Sequence, residues 1–195
     1  MVHRLIRVIA VVGVTVGCSR AQQATPAPTP ISSVAEAPAE AGGFRRVNRE
    51  TLPDGGGTLF RFRDSSSAYL TVILYPTDSA ARRAYPTPAS LLRYEGAKFV
   101  QVMDIQVRRG LYRNYRLLAS RPDSVPVVPT LAPGHTSVAS AVLRGRPVVE
   151  YQRLFLVDTT FIKVRATIPE ADWPRPDLDD VTRTILASLV GRSGD

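Results

Sequence analysis

The chain has almost no lysine, cysteine, histidine or tryptophan, and each shortage removes a class of chemistry. Of its 25 cationic residues only Lys98 and Lys163 are lysine, so the positive charge is carried by arginine. One cysteine, Cys18, excludes an intrachain disulfide, and with only His3 and His135 as imidazoles no Cys/His metal cage can be assembled. No metal and no cofactor is therefore expected. The serine-hydrolase elbow Gly-x-Ser-x-Gly does not occur. Gly55-Gly56-Gly57 precedes a strand pattern, whereas a phosphate cradle opens a helix, so the triplet is read as a turn. Without crosslinks or metals, stability must come from a hydrophobic core. A chain of 195 residues, 44% of them hydrophobic, is long enough to build one.

The first 18 residues carry Arg4 and Arg7, an apolar run over 8–16, then Gly17 and Cys18. A charged start and a short apolar stretch read as a signal peptide over residues 1–17. The run falls short of the roughly 20 residues a permanent membrane helix needs. Thr15-Val16-Gly17-Cys18 resembles the lipobox of bacterial lipoproteins, with Thr15 where that family usually has Leu. The resemblance implies that Cys18 becomes the lipid-attachment residue, tying the chain to a membrane on the periplasmic or cell-surface side. Residues 18–43 are rich in Pro and Ala with few large apolar side chains, and read as a disordered tether.

From Phe44 the pattern turns aromatic and alternating, and residues 44–190 read as one domain, with 191–195 as a tail. Strand signals at 58–63 and 68–75 flank the turn formers Asp64-Ser65-Ser66-Ser67. Residues 137–144 and 147–157 flank Gly145, and Asp158-Thr159-Thr160 leads into 161–168. In this last strand Ile162, Val164, Ala166 and Ile168 alternate with Phe161, Lys163, Arg165 and Thr167, as a sheet with a buried face requires. A further strand is expected over 112–120. Asp177 as N-cap, with Leu178, Val181, Ile185 and Leu189 in one stripe, predicts a terminal helix. Thr87-Pro88 opens another, carrying Leu92, Gly96, Phe99 and Met103 and breaking near Asp104, and a short helix spans 79–84. The expected class is α+β: an antiparallel meander covered on one face by two main helices. The element order, with Phe161-Ile162-Lys163-Val164-Arg165 running toward the helix ending Leu186-Ala187-Ser188-Leu189, resembles the PsbP-like α+β fold. That resemblance implies an accessory, assembly or binding role and no activity.

Candidate chemistry is sparse. His135, in the loop-like Ala132-Pro133-Gly134-His135-Thr136-Ser137, could pair with a hydroxyl or carboxylate. Asp177, Asp179 and Asp180 are accounted for by a helix N-terminus, and Trp173 by packing at the start of that helix. Glu95 with Asp104, or Glu150 with Asp158, could serve as acid and base only if the fold brought them close. Arg61 with Arg63, and Lys163 with Arg165, each share a face by the two-residue period. If their strands are neighbours they make a basic, anion-binding sheet face, with Tyr151 and Arg153 nearby. The sequence thus favours a non-enzymatic cell-envelope lipoprotein, a binding or assembly module with a membrane and an envelope protein as partners. An anion binder using the basic face is the alternative, and an envelope hydrolase using His135 a weaker one. Export disfavours nucleic acid.

Overall fold

The computed structural model describes residues 36–53, 56–66, 68–127, 130–175 and 177–190. The expected signal peptide, Cys18 and the tail 191–195 lie outside the described residues. Strands β1 (Glu40–Ala41), β2 (Phe44–Thr51), β3 (Thr58–Arg63) and β4 (Tyr69–Pro76) lead into helices α1 (Ser79–Ala84) and α2 (Pro88–Arg108). Strands β5 (Tyr112–Val127), β6 (Thr130–Leu143), β7 (Arg146–Val157) and β8 (Thr160–Pro169) follow, then a 3₁₀ turn (Glu170–Asp172) and helix α3 (Leu178–Val190). All eight strands form one antiparallel sheet in the order β1-β2-β3-β4-β8-β7-β6-β5. Two meanders are joined where β4 pairs with β8, from Tyr69↔Thr167 to Pro76↔Thr160. The chain reaches the far edge through α1 and α2, since β4 lies at the centre and β5 at the rim.

The expected class holds, an antiparallel sheet with two main helices packed on it, but the helices lie on opposite faces instead of sharing one. Ile162, Val164, Ala166 and Ile168 join Phe60, Phe62, Leu70 and Val72 against Val181, Ile185, Leu186 and Leu189 of α3. The alternate residues of β8 meet α2: Phe161 packs with Leu91 and Leu92. Phe99 and Met103 pack on Tyr112, Ala139, Ala141 and Val148 of the outer strands. The period of two in β8 thus serves two covers, an apolar one and a partly polar one.

Local signals explain most elements. Asp64 Oδ1 accepts from the backbone N–H of Ser66 and of Ala68, both at 2.9 Å, closing the β3–β4 turn. Thr87 and Ser90 cap α2 reciprocally, each accepting the other's backbone N–H at 3.2 Å. Gly57 needs its hydrogen: a Cβ there would stand 2.0 Å from the Leu74 carbonyl oxygen.

Three boundaries differ from expectation. Helix α2 runs past Asp104 to Arg108 and ends before Gly110, whose φ of +73° suits a residue just beyond a helix. Strands β5 and β6 extend well beyond the expected ends, so His135 sits in a strand, paired with Pro122 and Leu154, and not in a loop. Pro122 and Pro126 are tolerated because β5 is an edge strand, and Pro133 because β7 pairs with β6 only from Gly134 onward. Third, the ordered domain begins before Phe44. Ala37 and Ala41 are buried in the α3-side core, β1 pairs with β2, and Arg46 donates to Glu36 and, at 2.6 Å, to the Ala37 carbonyl.

A chain truncated to begin at Phe44 should therefore lose stability. Two buried methyl groups and a half-buried ion pair predict about 1–2 kcal/mol, read as a lower denaturation midpoint at unchanged slope. Equal midpoints for the two chains would show that 36–43 contributes nothing.

Candidate functional site

The face of the sheet beneath α2 is unusually polar. Opposed residues share a face, so the register places Arg61, Thr71, Arg165, Gln152, Ser137 and Ser120 in one row across the sheet. Flanking it are the rows through Arg63, Tyr69, Thr167 and Glu150, and through Lys163, Leu154 and His135. The four expected anion-binding residues, Arg61, Arg63, Lys163 and Arg165, thus do share a face. Tyr151 and Arg153 do not join them, because they pair with Ala166 and Val164 and face α3.

Two buried carboxylates take up the central cations. Glu150, fully buried, accepts from Arg165 Nε and Nη2 at 3.1 Å, Tyr112 Oη at 2.5 Å and Thr167 Oγ1 at 2.8 Å. Glu95, on α2, accepts from Tyr75 Oη at 2.7 Å and pairs with Lys98 at 2.6 Å and Lys163 at 3.3 Å. Burial works to raise the Glu95 carboxyl, but Lys98, Tyr75 and Lys163 outweigh it and hold the group below the usual carboxylate range. Burial pulls Lys163 down from the ordinary lysine value while Glu95 pulls it back. Burial, reinforced by the neighbouring carboxylates, pushes the Tyr75 and Tyr112 hydroxyls far up, so both stay protonated donors. Out on β3, Arg61 pairs with Glu50 and Arg63 contacts the Tyr69 hydroxyl. Of the expected open basic face, Arg61, Lys163 and Arg165 are paired with carboxylates and Arg63 lies against Tyr69.

His135 lies under α2 where Gly96 lets the helix approach: a Cβ on residue 96 would be 2.7 Å from His135 Cδ2. Ser120 Oγ lies 2.9 Å from His135 Nε2. Burial, with help from Arg93, lowers the His135 pKa below 6.5 against the opposing pull of Asp123, so the ring is neutral at pH 7. The Asp123 carboxylate accepts from Thr136 Oγ1 at 2.7 Å and Arg153 Nε at 2.6 Å, and Arg153 continues to Asp179 of α3 at 2.7 Å. A serine, a histidine and a nearby carboxylate thus lie in one region, but the carboxylate is committed to an arginine that ties β5 to α3. Ser120 is exposed on an edge strand, just past a register shift between Leu117 and Ala119, and not on a tight strand-to-helix turn of the kind that presents a nucleophile.

Open space lies at the other end of α2. A groove of about 430 Å³ runs between its C-terminal half and the sheet, walled by Tyr69, Thr71, Gln106, Leu111, Tyr112 and Arg144 among others. Gln106 Oε1 is buried there without a hydrogen-bond partner among the described residues. Sequence patterns missed this groove because its walls come from five elements. The 16-residue length of β5 and the hub roles of Glu95 and Glu150 also escaped them, since neither carboxylate belongs to a motif.

Two stability measurements follow. Glu150→Ala, which leaves Arg165 and Tyr112 without their acceptor, should cost about 3–5 kcal/mol in denaturant unfolding. A loss under about 1 kcal/mol would show that water replaces the carboxylate. In acid, stability should fall in two steps. Because His135 is lowered from 6.5, the unfolded chain takes up its proton first, and stability declines as pH drops below about 6.5 until the folded ring also titrates. Glu95 is lowered from 4.5, so its contribution, present above pH 4.5, is lost as pH falls through its folded value. His135→Gln should abolish the first step and Glu95→Gln diminish the second. Persistence of the first step in His135→Gln would assign it elsewhere.

Neither a protein-family model nor a curated protein matches the chain. Among solved structures it is similar to the solution structure of cyanobacterial PsbP (CyanoP) from Synechocystis sp. PCC 6803. The two are 13% identical over 68% of this chain and 78% of that one, with a TM-score of 0.45, a weak likeness of fold.

Proposed function

We propose that this chain is a non-enzymatic lipoprotein of the cell envelope, a binding or assembly module that lipid on Cys18 ties to a membrane. The observation that carries the binding role is the groove beside the C-terminal half of α2: Arg165 in its wall is paired with Glu150, but Arg144 at its rim makes no salt bridge among the described residues. The ionisable groups under α2 are by contrast spent on internal pairs, which suits a scaffold that presents a surface. Membrane attachment rests on the charged start, apolar run and cysteine of residues 1–18, and two or more acyl chains would be needed for stable anchoring. Among the described residues no helix is long and apolar enough to cross a membrane. In this reading Arg61, Arg63, Lys163 and Arg165 build the scaffold, and anion binding belongs to the arginines near the groove.

The contact between Ser120 and His135 favours a second reading, an envelope hydrolase in which the neutral imidazole takes the serine proton. One experiment tests the lipid anchor and a second separates the two readings. Metabolic labelling with a fatty-acid analogue should mark the wild type and not Cys18→Ser; equal labelling would remove the lipid from the reading. A fluorophosphonate probe should leave the protein unmodified. Modification at Ser120 that disappears in His135→Ala would replace the binding module with the hydrolase.

A further inference from the structure

From residue 105 to 121 the chain carries five arginines and no carboxylate, and the β6–β7 turn adds Arg144 and Arg146. The fold gathers most of these at one end of the sheet. Tyr112 pairs with Leu143, Arg113 with Val142 and Arg116 with Ser140, which brings the start of β5 against the end of β6 and its turn. Gly110, Leu111, Arg113, Val142, Arg144 and Gly145 surround a shallow depression of about 250 Å³. Arg108, Arg109, Arg113, Arg116, Arg144 and Arg146 are all exposed, and among the described residues none makes a salt bridge or side-chain hydrogen bond. The acids nearest along the chain are the exposed Asp104, and Asp123 and Glu150, which are taken up by Arg153 and Arg165.

Aliphatic side chains flank these cations at the sheet edge: Arg113 and Arg116 lie in the α3-side rows through Val142 and Ser140 and Leu117 in the α2-side row through Ala139 and Glu150, so that a surface meeting β5 edge-on reaches both. Ile105, Leu111, Leu117 and Leu118 are 40%, 42%, 40% and 44% exposed, a concentration that one end of a water-facing domain has no internal reason to keep. The two kinds of side chain ask for different surroundings: arginines for anionic oxygens that accept their fork of donors, leucines for hydrocarbon. An acidic protein segment offers the first and a greasy groove the second, whereas the interface of an anionic bilayer offers both within a few ångströms.

We propose that this end of the domain, the α2 terminus with the start of β5 and the β6–β7 turn, docks on an anionic phospholipid surface. The arginines engage headgroup phosphates, and Leu117, Leu118, Leu111 and Ile105 enter the boundary with the acyl chains. The proposal adds a lipid partner to the tethered module and rests on that reading only for its setting. Whatever its conformation, the stretch from Cys18 to Glu36 spans at most about 65 Å, so a lipid on Cys18 would keep this surface within reach of headgroups. Weak individual contacts then suffice, because attachment raises the local concentration of the surface.

The test is sedimentation of the full chain carrying Cys18→Ser with vesicles of phosphatidylcholine alone or containing phosphatidylglycerol. The readout is the part of the gain on adding the anionic lipid that arginine reversals at this surface remove, because residues 1–17, with Arg4 and Arg7, contribute equally to every chain compared. The wild-type domain should show the gain at low salt and lose it in about 1 M salt, where screening acts within about 3 Å. Arg108→Glu, Arg113→Glu, Arg116→Glu and Arg144→Glu together should reduce binding more than about a hundredfold, at roughly fivefold per arginine. Arg82→Glu with Arg83→Glu, on α1 at the other end of the sheet, should leave it intact. Leu117→Ser with Leu118→Ser should weaken binding although the charge is unchanged. No gain at low salt, or a gain that the four reversals leave unchanged, overturns the proposal. So does a gain that soluble polyglutamate abolishes and the leucine changes leave untouched, which would assign the surface to an acidic protein. Because Cys18 is substituted throughout, failure here leaves the lipid-anchor reading standing, and failure of fatty-acid labelling leaves this one standing.

Discussion

The fold depends on burying two carboxylates between one helix and one sheet. An ionised carboxylate removed from water without partners is too costly to keep, so Glu95 and Glu150 require cations and hydroxyls brought from elsewhere in the chain. Glu150 draws on β5 and β8 as well as its own strand, through Tyr112, Arg165 and Thr167. Glu95 draws Tyr75 from β4 and Lys163 from β8 onto α2. Four strands and the crossover helix are thereby held in one arrangement. A one-residue slip of β8 would carry Lys163 and Arg165 to the apolar side beneath α3 and leave both carboxylates unpaired. The polar face specifies the register, and the apolar face supplies most of the burial.

The same chemistry decides which charges remain available to a partner. Among the arginines and lysines that look alike along the chain are a set held inside the fold by Glu95, Glu150, Asp123 and Asp64 and an exposed, unpaired set at the end of α2. Arg153 bridges Asp123 on the edge strand and Asp179 on α3. Arg175 bridges Asp64 in the β3–β4 turn and Asp177 before α3, with its guanidinium 4.9 Å from the centre of the Phe44 ring. These pairs fasten α3 to both halves of the sheet. At the α2 terminus, where none of these acids reaches, cationic and aliphatic side chains meet solvent together.

His135 illustrates how a residue of catalytic type can serve packing. Gly96 admits it, burial keeps it neutral, and Ser120 gives its Nε2 a partner. Its strand neighbour Thr136 donates to Asp123, so the segment joins α2, the edge strand and, through Arg153, α3.

The sequence by itself determined the local pieces. Alternation in 161–168, the caps at Thr87 and Ser90, the turn at Asp64 and the helical stripe from Leu178 to Leu189 all act within a few residues, where spacing and capping chemistry suffice. It was silent on β2, because only Phe44 of that strand is buried and no alternation marks it. It stopped β5 and β6 short, because prolines read as breakers except at edges, and whether a strand is an edge is a property of the whole sheet. It paired Arg61 with Arg63 and Lys163 with Arg165, since parity along a strand is local; that the two pairs share a face although β4 lies between their strands was decided by the sheet. That Lys163 and Arg165 are spent on Glu95 and Glu150 was decided only by tertiary structure. Those partners lie 68 and 15 residues away, and the pairing of charges across a helix–sheet interface leaves no periodic trace in the chain.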